Sequence, residues 1–367
     1  MTIEISRDPI LTLEHVSHTF GDGTRILSDI GITVTRGEIF CLLGPSGCGK
    51  TTTLRLAAGL EPLDQGCITI DGRVVADEFT DIAPERRGVG FVFQDQALFP
   101  HLTVRENVAF GIEHLSHKEV EARVRDVLSQ VSMADYADAF PHRLSGGQQQ
   151  RIALARALAP DPPVILLDEP FSGLDTRLRS VIREDTLTLL KERGTTTLIV
   201  THDPEEAMYV ADTIAVMRDG RIEQIGAPGD VYCNPVTPFV ALFFGNANQI
   251  RGLVKEEHVL TPFGPIAASG FDQGTEVLVV MRPEALKIDP KGGPPPANSL
   301  GTAEGTVVMT KLLRQSVFIH MDFDEFHGEQ IHFHARSAGH FMPEEGRRYN
   351  VYLDPDQTFI FPIRDED

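Results

Sequence analysis

Three short segments carry residues whose types and spacing could do chemistry. GPSGCGKTT (44–52) has the pattern G-x-x-x-x-G-K-[ST]. Its glycines let backbone N–H groups close around phosphate oxygens, and a helix starting at its end adds a favourable partial charge. In that setting Lys50 reaches the outer phosphates of a nucleotide and Thr51 a Mg²⁺ ion. VILLDEP (164–170) sets two carboxylates at the end of an apolar run. Asp168 suits a water-mediated contact to Mg²⁺, and Glu169 suits a base that orients an attacking water. Taken alone, the pair could equally be two solvated loop carboxylates. In LSGGQQQR (144–151) Ser145 and Gln148 have the spacing of a helix capping box. That accounts for those two residues but not for Gly146 and Gly147, which weaken a first helical turn. Two glycines there fit a molecule, such as a phosphate, that approaches the helix start closely.

The surrounding sequence predicts elements able to hold these segments in place. EIFCLL (38–43) is a short apolar run before the glycine-rich loop, and RLAAGL after it reads as helix. ILTLEHVSHTF (10–20) alternates apolar and polar residues and then turns at GDG; CITIDG and RRGVGFVFQ read as further strands. Residues 103–140 turn helical, with Val120, Val124, Leu128 and Val131 on one stripe. SGGQQQRIALARALA (145–159) and TRLRSVIREDTLTLLKER (176–193) read as helices, the second closed by Gly194. VILLDEP and TTTLIVTHD (195–203) read as buried strands. Buried strands alternating with helices imply an α/β fold around a parallel sheet. Near residue 240 the pattern changes to short β-like segments with frequent turns, which predicts a small all-β domain interrupted by the loop KGGPPPANSL (291–300).

A length of 367 residues allows two or three domains. The mean hydropathy of −0.09 and 23% charged residues are those of an ordinary globular chain. A net charge of −20 argues against a nucleic-acid partner and against direct docking on anionic lipid, so membrane attachment is expected through a protein partner. No apolar run is long enough to span a bilayer. The start MTIEISRDPI lacks a signal-peptide pattern, which leads to the expectation of a cytoplasmic chain. Cys41, Cys48, Cys67 and Cys233 have neither metal-ligand nor disulfide spacing.

Taken together, GPSGCGKTT, LSGGQQQR, VILLDEP, FSGLD and VTHD resemble, in order and spacing, the segments of ABC-transporter ATPases. The resemblance is close over about residues 10–245 and looser beyond. It implies a P-loop NTPase cassette over 1–245 with a helical subdomain at about 95–160, then a regulatory domain of OB-like barrel type over 246–367. It implies ATP and Mg²⁺ as ligands. It also implies a head-to-tail dimer with ATP between the phosphate loop of one copy and the LSGGQ segment of the other. By that resemblance Gly44, Pro45, Ser46, Gly47, Cys48, Gly49, Lys50, Thr51 and Thr52 hold the phosphates, while Ser145, Gly146, Gly147 and Gln148 act on the partner's ATP. Gln94 matches a glutamine that contacts Mg²⁺ and water, His202 a histidine on the γ-phosphate, Asp175 a loop linking the two sites, and Phe20 an aromatic that stacks on adenine. Plain packing is the alternative for Phe20. Gly173 departs from the Asn or Ala common in the family. QDQALFPHLTVRENVAFGI (94–112) resembles the stretch that docks the membrane subunit, with Leu98, Phe99 and Leu102 as either docking cluster or satellite core.

The tail, with RPEALKI (282–288), resembles the regulatory domain of binding-protein-dependent importers, and exporter ATPases usually lack it. The whole chain resembles the ferric-iron importer ATPase most, with polyamine, thiosulfate or sulfate, and sugar importers as alternatives. Expected partners are a second copy, integral-membrane permease subunits and, indirectly, a substrate-binding protein, at the cytoplasmic face of the plasma membrane. Three rival readings find less in the sequence. A soluble ABC protein acting on ribosomes or DNA usually carries two cassettes or a long coiled coil. A non-catalytic module would have lost Lys50, Asp168 or Glu169. An exporter ATPase would lack the tail. Separately, His320, His327, His332, His334 and His340 lie within 21 residues, and His332 and His334 alternate onto one face of a strand. They are either a metal-binding cluster or solvated strand histidines.

Overall fold

The computed structural model describes residues 8–289, 295–313, 315–339 and 341–363. The chain divides into two compact units, Met1–Gly229 and Asp230–Asp367.

The first unit is built on a six-stranded sheet. Its strand order is Arg221–Gly226, Thr213–Arg218, Ile39–Leu43, Thr196–Thr201, Val164–Asp168, Val89–Val92. All neighbours pair in parallel except the first two, which form an antiparallel hairpin. Every residue of Ile39–Leu43, Val164–Asp168 and Thr196–Thr201 is buried, which is why these strands read as unbroken apolar runs. The two-residue alternation of a strand divides them between two cores. Phe40, Leu42, Leu166, Leu198 and Val200 face an antiparallel sheet whose order is Arg25–Thr35, Pro9–Thr19, Gln65–Ile70, Arg73–Ala76, together with the helix Lys50–Ala58. Ile39, Ile165, Leu167 and Ile199 face Val108, Val124, Leu128, Ile152 and Leu190 on the other side.

That second core includes the helices Val104–Ala109, His117–Gln130 and Gly146–Leu158, which lie in the expected helical stretch. Val124, Leu128 and Val131 of the predicted stripe are buried, and Val120 packs against them half-buried. Each of the three helices opens with a complete capping box: Thr103 with Glu106, Ser116 with Glu119, Ser145 with Gln148. The helix Thr176–Arg193 ends at Gly194 in the left-handed region, as its sequence requires.

Among its described residues the second unit holds the short helix Pro238–Phe243 and three antiparallel sheets around an apolar core. The sheets are Asn248–Leu253, Glu276–Met281 and Thr358–Pro362; a hairpin of His258–Thr261 and Gly264–Ala267; and five strands in the order Leu286–Asp289, Arg348–Leu353, Thr302–Leu313, Ser316–Phe326, Glu329–Ala338. The units part at 229/230 rather than at 245/246. Residues 230–245 belong with the β-rich unit because Ala241 packs against Val280 and Phe361, and Arg282 lies 3.6 Å over the Tyr232 ring. Among the described residues no helix is long and apolar enough to cross a membrane.

Candidate functional site

The parallel strands deliver the predicted residues at their carboxyl ends, where open α/β sheets place their ligand sites. Ile39–Leu43 runs into the loop 44–49 and the helix Lys50–Ala58. The loop's glycines answer different demands. A Cβ on Gly44 would lie 2.2 Å from the Met217 carbonyl oxygen, a backbone atom in a paired strand, so internal packing excludes a side chain there; Gly49 takes φ 104°, with the Ile26 carbonyl oxygen 3.0 Å from where a Cβ would stand. Gly47 instead needs its positive φ of 84° and has open space beside it. No side chain caps this helix start and no acidic residue stands in its first turn. The first-turn N–H groups and the positive end of the helix dipole are therefore left for an external anion. Lys50 is buried, and its Nζ donates to the carbonyls of Gly44 at 2.7 Å and Pro45 at 2.8 Å. Burial pushes the thiols of Cys48 and Cys41 up, so both are neutral packing groups.

Asp168 closes its strand, buried, and its Oδ1 accepts from Thr51 Oγ1 at 2.9 Å. Burial holds its carboxyl above the usual carboxylate range, and the neighbouring Glu169 adds to the effect. A hydroxyl and a carboxylate held together are hard oxygen donors of the kind Mg²⁺ takes, and a carboxylate whose ionised form burial disfavours is one that such an ion offsets. Thr51 and Asp168 thus fit the ion.

Glu169 has φ 43°, an uncommon conformation for a residue with a side chain, and its N–H donates to Val200 O at 3.0 Å. Its two oxygens are bracketed. His202 Nδ1 lies 3.0 Å from Oε1, and Gln94 Nε2 donates to Oε2 at 3.4 Å. Gln94, Glu169 and His202 follow three strands that are neighbours in the sheet. That neighbourhood aims two polar groups at one carboxylate.

Other predicted residues stand apart from this group. Ser145 Oγ accepts from Gln148 N–H at 3.4 Å, and Gln148 Oε1 accepts from Ser145 N–H at 2.9 Å. A Cβ on Gly147 would lie 2.9 Å from Cδ2 of the half-buried Leu178, a side chain that must shift to admit it; Gly146 has nothing closer than 3.7 Å. Among the described residues no hydrogen bond joins this segment to Lys50, Asp168 or Glu169. Asp175 caps the helix Thr176–Arg193, accepting from the N–H groups of Arg177 and Leu178. Gly173 takes φ 76°, which explains Gly at that position. Phe20 is 40% exposed, its ring edge-on to His18, so core packing does not hold it.

Leu98 is half-buried against the helical core, while Phe99 lies 4.6 Å from the exposed ring of Phe110. Asn107 shapes that loop, donating to the carbonyls of Phe99, Leu102 and Thr103. Asn107 and Glu206 are buried polar residues that no motif in the sequence marks. D-P-E-E (203–206) after a buried strand was the available signal for Asp203 as a helix cap, with Glu206 one turn on.

A phosphate loop, an acidic strand end and a bracketed glutamate on a parallel sheet define a P-loop ATPase. The family model described as ABC transporter matches residues 27–172. The spermidine/putrescine import ATP-binding protein of Acetivibrio thermocellus is 42% identical over 289 residues, 77% of this chain and 81% of that protein. The putrescine transport ATP-binding protein of Escherichia coli is 38% identical over 312 residues, 82% of this chain and 81% of that one. A dimeric ATP-binding cassette in a post-hydrolysis state, bound to ADP and Pi, is 33% identical with a TM-score of 0.54, covering 60% of this chain and 99% of its own. The chain belongs to the ATP-binding subunits of ABC importers and is an ATPase.

Proposed function

We propose that this chain powers import of a polyamine such as spermidine or putrescine. The observation that carries the substrate is the 42% identity, over 77% of the chain, to a protein named for spermidine/putrescine import. The E. coli relative is likewise named for putrescine. Ferric iron, which the sequence resemblance put first, gives way to the polyamine alternative.

Two copies face head to tail, each supplying Ser145, Gly146, Gly147 and Gln148 to the ATP on the other's phosphate loop. Lys50 and the first-turn N–H groups of its helix hold the phosphates, with Phe20 exposed to receive the base. Mg²⁺, held by Thr51 and Asp168, supplies positive charge against the phosphate oxygens when bound. Glu169 accepts a hydrogen bond from the attacking water and aligns it. Gln94 and His202 keep that carboxylate in place, and His202 donates to the charge that develops on the γ-phosphate. Closure and opening of the pair drive permease subunits docked on the 94–112 loop, at the cytoplasmic face of the membrane, with a substrate-binding protein beyond them.

The test is uptake in cells lacking the gene and complemented with parent or Lys50→Ala. Restored uptake of labelled putrescine or spermidine by the parent alone supports the reading. Restored iron uptake with unchanged polyamine uptake contradicts it.

A further inference from the structure

We propose that the β-rich unit carries a site for one Zn²⁺-class transition-metal ion, made by His320, His332 and His334. The strands Ser316–Phe326 and Glu329–Ala338 pair antiparallel, with His320 opposite His334 and Asp322 opposite His332. Ile319, Met321, Phe323, Phe333 and Ala335 point into the core, so the intervening four residues share the outer face of a firmly anchored hairpin. One ring nitrogen from each histidine lies within 4.8 Å of the other two. His320 Nδ1 and His332 Nε2 are 3.2 Å apart. Two ligands on a tetrahedral Zn²⁺, with Zn–N of about 2.0–2.1 Å, stand about 3.3 Å apart, so this pair is already at ligand spacing.

The surroundings support the same chemistry. His332 turns Nε2 to the cluster and Nδ1 to the Asp322 carboxylate at 2.7 Å. A carboxylate behind a histidine fixes its tautomer and raises its basicity as a ligand. Asn248 pins the strand at His334, donating to His334 O and accepting from His334 N–H. Phe318 stacks on the His334 ring at 5.1 Å and walls one side. Three imidazoles with an open fourth position suit Zn²⁺ and its neighbours in the transition series, and not Mg²⁺, which takes oxygen donors. His327 stands apart, its ring against Phe326. His340 lies outside the described residues.

The test titrates the full chain, stripped with a chelator and kept in excess Mg²⁺, with Co²⁺ and then Zn²⁺. One Co²⁺ per chain is expected, with the visible bands of a four-coordinate site, displaced by one Zn²⁺. The double variant His332→Ala, His334→Ala, on an outward face, is expected to keep its circular dichroism and melting profile and lose the bands. Asp322→Asn is expected to bind about 10–100-fold more weakly. Bands that survive in the double variant, or that vanish instead in Cys233→Ser, whose thiol is exposed, overturn the site. So does the absence of any bands in the parent chain.

Discussion

Glu169 shows how a single side chain is prepared for one task. Its backbone sits in the left-handed region, its N–H is tied to Val200 O, and each carboxylate oxygen has one polar neighbour. Strain of this kind, worth about 1–3 kcal/mol, persists where surrounding structure enforces it. Glu206 is a second tuned carboxyl, on the helix that follows His202. It is buried, accepts from Thr201 Oγ1 at 2.9 Å, and is pushed from 4.5 to about 7, chiefly by burial. A carboxyl with a higher pKa folded than unfolded holds its extra proton in the folded state. Its contribution to stability is complete below pH 4.5 and is lost as the pH rises through about 7. Glu206→Gln should therefore gain on the parent across that window, by on the order of 1–3 kcal/mol. Chemical denaturation at pH 5 and pH 8 measures this, and the same difference at both pH values contradicts it.

At the scale of elements, the phosphate loop is shaped by its neighbours as much as by its ligand. Met217 belongs to the strand that pairs with Ile39–Leu43, so its carbonyl cannot yield to a side chain on Gly44. Gly44→Ala should destabilise by about 1–3 kcal/mol or more. Gly47→Ala meets only backbone strain of about 1–2 kcal/mol. Denaturant midpoints that place Gly47→Ala below Gly44→Ala would reverse this ranking of causes. The apolar runs IFCLL and VILLD and the helix boundaries at 176 and 194 were legible in the sequence because burial and capping are local demands. The strand order was not. Gln94 and Glu169 are 75 residues apart in sequence, and they meet through the pairing of Val89–Val92 with Val164–Asp168. The same holds for the histidines. His332 and His334 share a face by simple alternation, but His320 joins them only through hairpin register. Gly147 has a neighbour the motif could not show, Leu178, 31 residues further on in sequence.

For the whole molecule, a site divided between two copies is the claim on which the rest depends. Within one chain the Ser145 segment makes its own capping box and has no hydrogen bond, among the described residues, to Lys50, Asp168 or Glu169. The relative solved with ADP and Pi is a dimer. The direct measurement is light scattering of the purified Glu169→Gln chain with and without ATP and Mg²⁺, with phosphate release followed in the same sample. An ATP-dependent shift from monomer to dimer is expected, with hydrolysis at least about 10²-fold below the parent, the scale of a lost general base. A chain that hydrolyses ATP at the parent rate, or that binds ATP and stays a monomer, contradicts it.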